Sequence, residues 1–196
     1  MKSHRYCFVV LLCFFSASIY AQTDNHQNSK KHRFAFYGGI GPNYYFNNLA
    51  IASNKVNPWN YSLTGRLMWE PGHFLSLGIE SGYYQLYTVH YSSESLGSGQ
   101  IKNTLVPLQL VVSVKFMKNL YANFSMGQSY LQNEVTNSII GNSKSSSLSL
   151  ADFGITAGYR HIFKNRISIG AELKFYNSSK YDDSNLALVF ITGYRF

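Results

Sequence analysis

The chain closes on 188-LVFITGYRF-196. A free chain end is ordinarily polar and frayed. Here Leu188, Phe190, Tyr194 and Phe196 fall on alternate positions, and the last residue is aromatic. Side chains alternate between the two faces of a strand, so these four share one face. Leu186 extends that face, while Ala187, Val189, Ile191, Gly193 and Arg195 form the other. The rest of the chain must say whether the large face meets a protein core or lipid.

Seven upstream segments repeat the period. Phe34, Phe36, Gly38, Ile40, Pro42 and Tyr44 oppose Ala35, Tyr37, Gly39, Gly41 and Asn43. Tyr61, Leu63, Gly65, Leu67 and Trp69 oppose Ser62, Thr64, Arg66, Met68 and Glu70. Leu75, Leu77, Ile79 and Tyr83 oppose Ser76, Gly78, Glu80 and Gly82. The even positions from Val106 to Phe116 are all large and apolar, against Leu105, Pro107, Gln109, Val111, Ser113 and Lys115. Leu120, Ala122, Phe124 and Met126 oppose Tyr121, Asn123, Ser125 and Gly127. Phe153, Ile155, Ala157 and Tyr159 oppose Asp152, Gly154, Thr156, Gly158 and Arg160. Ile167, Ile169, Ala171, Leu173 and Phe175 oppose Ser168, Gly170, Glu172 and Lys174.

Eight such strands are long enough to cross a bilayer, since a tilted strand needs about 9–11 residues for the hydrocarbon core. Short turns centred on Gly72, Lys118 and Lys164 alternate with long polar stretches at Asn47–Pro58, Thr88–Ile101, Gln132–Ser147 and Asn177–Asn185. The strands leaving the short turns carry SLGIE (76–80), SMGQS (125–129) and SIGAE (168–172), a hairpin unit reused around a sheet. The pattern predicts an all-β fold: a closed antiparallel eight-stranded transmembrane β-barrel, an up-and-down meander over residues 34–196. The competing arrangement is a soluble sandwich or lipocalin-like barrel with the apolar face inside. Against it, Arg66, Glu80, Lys115, Arg160 and Glu172 lie on the face of small residues, which suits a polar lumen. Tyr44, Trp59, Trp69, Phe116, Tyr159 and Phe175 sit near strand ends, the levels of a lipid-facing aromatic girdle.

Composition agrees. Tyr and Phe number 16 and 14 of 196 residues, and charged residues are only 13 %. Soluble domains carry about 25 %. The first residues read as an export signal: Lys2 and Arg5, an apolar run from Tyr6 to Phe15, then small residues up to Ala21. Residues 1–21 are expected to be cleaved, leaving a polar periplasmic leader over 22–33. Cleavage removes Cys7 and Cys13 and with them any thiol chemistry. The basic residues are scattered, apart from Lys30-Lys31-His32-Arg33, so nucleic acid is not an expected partner.

The signal, the eight amphipathic strands, TLVPLQLVVSVKF (104–116) and the terminal GYRF (193–196) resemble the small outer-membrane β-barrel domain family, which includes OmpA/OmpX-type and PorT-like barrels. The resemblance covers about Arg33 to Phe196. It implies residence in the outer membrane, contact with its lipid, and assembly by the barrel insertion machinery with Tyr194 and Phe196 as the recognition signal. It implies no single activity.

Three features bear on function. The inward charges Arg66, Glu80, Lys115, Arg160, Glu172 and Lys174 are expected to form a paired network that plugs the lumen, with Glu80 about one diagonal step from Arg66. Eight strands leave room only for side chains, and buried charges require partners. His90, Ser92 and Glu94 would suit a lipid-ester hydrolase if they converge, although the pair lies at a loop edge. His73, His90 and His161 are dispersed, so neither a metal nor another cofactor is expected. The Ser-rich stretches SSESLGSGQ (92–100) and NSIIGNSKSSSLS (137–149) read either as plain solvated loops or as a surface that binds a partner or shields the cell. The expectation is a non-enzymatic barrel with a structural or surface-interaction role. A secretion-system accessory and a lipid-modifying hydrolase using His90 and Ser92 are the alternatives.

Overall fold

A computed structural model describes residues 33–46, 56–72, 74–93, 97–139, 141–180 and 183–196. The expected signal segment, most of the leader, residues 47–55, His73 and Glu94 lie outside the described residues. The described residues form nine strands: β1 (Arg33–Phe46), β2 (Val56–Asn57), β3 (Trp59–Glu70), β4 (Leu75–Ser93), β5 (Gly97–Lys115), β6 (Leu120–Asn137), β7 (Gly141–Ile162), β8 (Ile167–Ser178) and β9 (Asp183–Arg195). Every pairing is antiparallel. The order β4-β3-β1-β9-β8-β7-β6-β5 returns to β4, so eight strands form a ring of pairings. The two-residue β2 pairs with Thr88 and Val89 of β4, outside that ring.

Ring closure depends on the terminal strand. β9 pairs with β8 on one side and β1 on the other, from Ala35↔Arg195 to Phe46↔Ser184. The Phe196 N–H donates to the Phe34 carbonyl at 2.8 Å and adds the last bond of the seam. At Gly41 the seam tolerates no side chain, because a Cβ there would stand 1.8 Å from the Leu188 carbonyl oxygen.

Burial inverts the arrangement of a soluble protein. The outward face keeps Leu110 at 70 % and Phe190 at 61 % exposed, while Glu172 inside is 1 % exposed. Arg66, Glu80, Glu70, Arg160, Lys174 and Asp152 are all buried on the inner face. The apolar face is therefore the outer one, as the alternation with inward charges implies. Each side chain at a strand's alternate positions takes the face assigned to it above.

Two expectations need correction. Thr88–Ile101 and Gln132–Ser147 are not long loops: β4 pairs with β5 up to Ser93↔Gly97, and β6 with β7 up to Asn137↔Gly141. Likewise Asn177 and Ser178 pair with Ser184 and Asp183. Ser, Thr and Asn there read as loop by composition, but a hydrated hairpin needs only backbone partners to continue. These strands are longer than the bilayer demands, and the excess stands beyond the ring. The second correction is β2, which lies within the stretch Asn47–Pro58 expected to be loop.

Candidate functional site: the inward side chains and the projecting sheet

Three layers of buried side chains stand inside the ring. The first lies at the rim of the short turns and centres on Glu70. Its carboxylate accepts from the Tyr37 hydroxyl at 2.9 Å and from Arg160 at 3.0 Å. Arg195 approaches it at 2.6 Å and Lys115 at 3.7 Å. The Arg160 guanidinium also lies 4.3 Å from the Tyr37 ring centre and 5.0 Å from that of Tyr121. Cations over aromatic faces are attracted by the ring quadrupole.

The middle layer is charge-balanced. Arg66 and Glu80 are directly opposite in the β3–β4 register, not diagonal as expected, and their side chains meet at 2.6 Å. The same guanidinium donates to both Glu172 oxygens, at 2.8 and 2.9 Å. Lys174 donates to Glu80 and stands 3.9 Å from Glu172. The Tyr121 hydroxyl donates to Glu172 at 2.5 Å. β4 and β8 are four steps apart in a ring of eight, so the Lys174–Glu80 pair crosses the lumen diametrically. The pairing is two cations with two carboxylates, each oxygen-rich group held by several donors. That is the condition under which buried charge is tolerated.

The third layer is apolar: Tyr45, Tyr84, Leu86, Leu105, Leu131 and Tyr176 pack together. Tyr84 stacks on Tyr176 at 5.8 Å, again from opposite strands. Beside it Asp152 is wholly buried and accepts from Ser149 at 2.5 Å, Tyr176 at 2.6 Å and the Ser179 N–H at 3.0 Å.

The six inward charges named from the sequence thus divide into two clusters: Arg66, Glu80, Glu172 and Lys174 in the middle, Lys115 and Arg160 at the rim. Glu70, Arg195, Tyr37 and Tyr121 complete these clusters and were not singled out in the sequence. Their inward parity was legible, but their partners across the ring were not. The aromatic residues fall at two levels. Trp69, Phe116, Tyr159 and Tyr194 lie by the short turns; Tyr44 and Trp59 pack edge to face at 5.0 Å by the opposite rim, where Phe175 contacts Phe153 at 6.3 Å. Tyr194 and Phe196 pack edge to face at 5.4 Å on the outer wall. His90 and Ser92 are both exposed on the outer end of β4. His161 is exposed beside Phe163 at 4.7 Å. Among the described residues no group of His, Cys, Asp and Glu could hold a metal ion.

Beyond the ring, β4 to β7 continue as a four-stranded sheet. Six residues at about 3.3 Å each carry Gly141–Ser146 roughly 20 Å outward. All six are exposed and pair with β6. β8 joins β7 only from Phe153↔Asn177 inward, and among the described residues no strand pairs with the other side of Gly141–Ser146.

Sequence comparison matches residues 7–196 to the outer membrane protein β-barrel domain. The chain belongs to this family. Its place is therefore the outer membrane, and its wall is in contact with lipid. Solved structures share the fold. Ail, the attachment invasion locus protein of Yersinia pestis, solved with the heparin analogue sucrose octasulfate, is 14 % identical with a TM-score of 0.53, covering 85 % of this chain and 99 % of that one. Neisserial surface protein A is 12 % identical with a TM-score of 0.53, over 83 % and 97 % of the two chains. The N-terminal barrel domain of Pseudomonas aeruginosa OprF is 13 % identical with a TM-score of 0.50, over 85 % and 100 %. No curated protein matches the chain in sequence.

Proposed function

We propose that this is a non-enzymatic surface-interaction barrel, sealed to ions, whose projecting β4–β7 sheet receives a partner outside the cell. The carrying observation is the edge of Gly141–Ser146, exposed and, among the described residues, paired on one side. Such an edge offers backbone donors and acceptors to an added strand, the basis of recognition by β-augmentation. Lys144 and the serines keep it polar, which limits indiscriminate self-pairing. That Ail was solved with a sulfated ligand fits a surface-binding role for this fold.

The test shortens the β6–β7 hairpin. Gln132 and Ser146 are cross-strand partners, so a two-residue Asn-Gly turn can join them in place of residues 133–145. The barrel is expected to remain folded, seen as a heat-modifiable band on gels, while cross-linking of intact cells no longer captures the wild-type partner. Undiminished capture by the shortened protein would refute the edge.

The three layers of inward side chains support the sealed reading. The diametric Lys174–Glu80 pair and the Tyr84–Tyr176 stack each span the lumen. Reconstituted in planar bilayers, the protein is expected to give no steady conductance steps. Regular ohmic steps from the wild-type chain would contradict the plug.

A further inference from the structure

The two ends of the barrel differ in charge. Among the described residues the short-turn rim, with both ends of the ring, carries Arg33, Lys115, Lys118 and Arg160, then Lys164, Arg166 and Arg195, against one acidic side chain, Glu70, and the carboxylate of Phe196. At the opposite end the described side chains include Lys102, Lys144 and Lys180 with Glu134. Four of the rim cations, Arg33, Lys118, Lys164 and Arg166, are exposed. Arg166 holds a left-handed backbone (φ 69°), a conformation that Gly or Asn adopts more readily.

These cations adjoin the apolar wall. Phe116 and Met117 precede Lys118 and are 67 % and 69 % exposed; Phe163 precedes Lys164. The Asn119 carbonyl accepts from the Arg160 N–H at 2.8 Å, so the β5–β6 turn lies against the end of β7, whose own turn carries Lys164 and Arg166. Directly below the β5–β6 turn an apolar groove opens in the outer wall, bounded by Phe116, Leu120, Tyr159 and Leu173 and floored by Ala122 and Ala157. A groove that starts under a cationic turn and runs down a lipid-facing wall is complementary to a chain of methylenes with an anionic head.

We propose that the short-turn rim binds anionic phospholipid of the adjoining leaflet. The headgroup phosphate pairs with Lys118 and the cations of the β7–β8 turn, and an acyl chain lies in the groove floored by Ala122 and Ala157. A headgroup layer surrounds the whole rim, so Arg33 on the far side meets the same lipid class. Basic side chains near a bilayer surface attract anionic lipid and lose that attraction as salt rises.

The probe is native mass spectrometry of the protein released from equimolar phosphatidylglycerol and phosphatidylcholine. Wild type is expected to retain phosphatidylglycerol at roughly fivefold excess, the preference of about one well-placed cation. That excess should shrink in high salt. K118Q/K164Q/R166N should bring retention of the two lipids close to parity. Ala157→Phe, which fills the groove and leaves every charge in place, should reduce retained phosphatidylglycerol as well. K180Q at the other end should leave the ratio of the two retained lipids unchanged. Heat modifiability of each variant establishes that it is folded. Equal retention of both lipids by wild type at low salt overturns the proposal without any variant. So does full phosphatidylglycerol retention by the rim triple variant or the groove variant.

Discussion

Replacing Arg66 by Met is expected to destabilise the barrel by about 3–5 kcal/mol, read from urea unfolding of the reconstituted protein. The guanidinium meets Glu80 at 2.6 Å and both oxygens of Glu172 at 2.8 and 2.9 Å. Removing it leaves two buried carboxylates sharing Lys174. The cost arises from this uncompensated charge rather than from lost attraction, because a complete pair gains little over apolar packing. The distinction yields a second expectation. R66M/E172Q leaves one cation, Lys174, facing one carboxylate, Glu80. It should be more stable than R66M alone by about 1–3 kcal/mol, the range of coupling within one network. Arg66→Lys should fall between: a Lys ammonium cannot form the fork that holds both Glu172 oxygens while reaching Glu80. If R66M/E172Q instead loses the sum of the two single changes, the four groups are not one network.

The sequence displays the wall of this protein more plainly than its interior. Alternation assigns Leu188, Phe190, Tyr194 and Phe196 to one face, and burial agrees at each of them, because a strand's period of two depends on no partner. Arg66 and Glu80 could be brought together because one short turn separates them. Glu172 could not be placed against Arg66, since that contact depends on ring closure and on how far each strand is staggered. Glu70 has the same difficulty: its partners Tyr37, Arg160, Arg195 and Lys115 come from four other strands. Two register shifts were also hidden. One falls between Gln85 and Tyr87 of β4 and another opposite Gly127–Ser129, where β7 runs from Ser149 to Asp152. The second shift brings Ser149 and Asp152 both inward, three positions apart. The projecting sheet is hidden in the sequence for a different reason. Ser-rich sequence is ambiguous between a loop and a hairpin solvated on both faces, and only the partner strand resolves it.

Deleting Phe196 is expected to reduce the amount of membrane-inserted protein far more than deleting the leader residues Thr23–Ser29. Phe196 contributes in two ways. Its N–H extends the β1–β9 seam by the bond to Phe34 at 2.8 Å. Its ring, 64 % exposed on the lipid-facing wall, packs edge to face with Tyr194. The first is a matter of closure, since an unpaired backbone group in contact with hydrocarbon costs several kcal/mol. At the rim, however, Phe34 is near water and the lost bond is partly replaced, so closure alone should cost little. The larger effect is expected from the ring, which the family resemblance assigns to the assembly machinery. Phe196→Ala separates the two, because it keeps the N–H and removes the aromatic. Insertion of Phe196→Ala should fall nearly as far as that of the deletion when followed by fractionation and heat modifiability. Purified Phe196→Ala should still refold in detergent, where no machinery acts. Normal insertion of the Phe196 deletion in cells would show that the last residue is dispensable. A deletion defect that Phe196→Ala does not share would assign the effect to the seam bond instead.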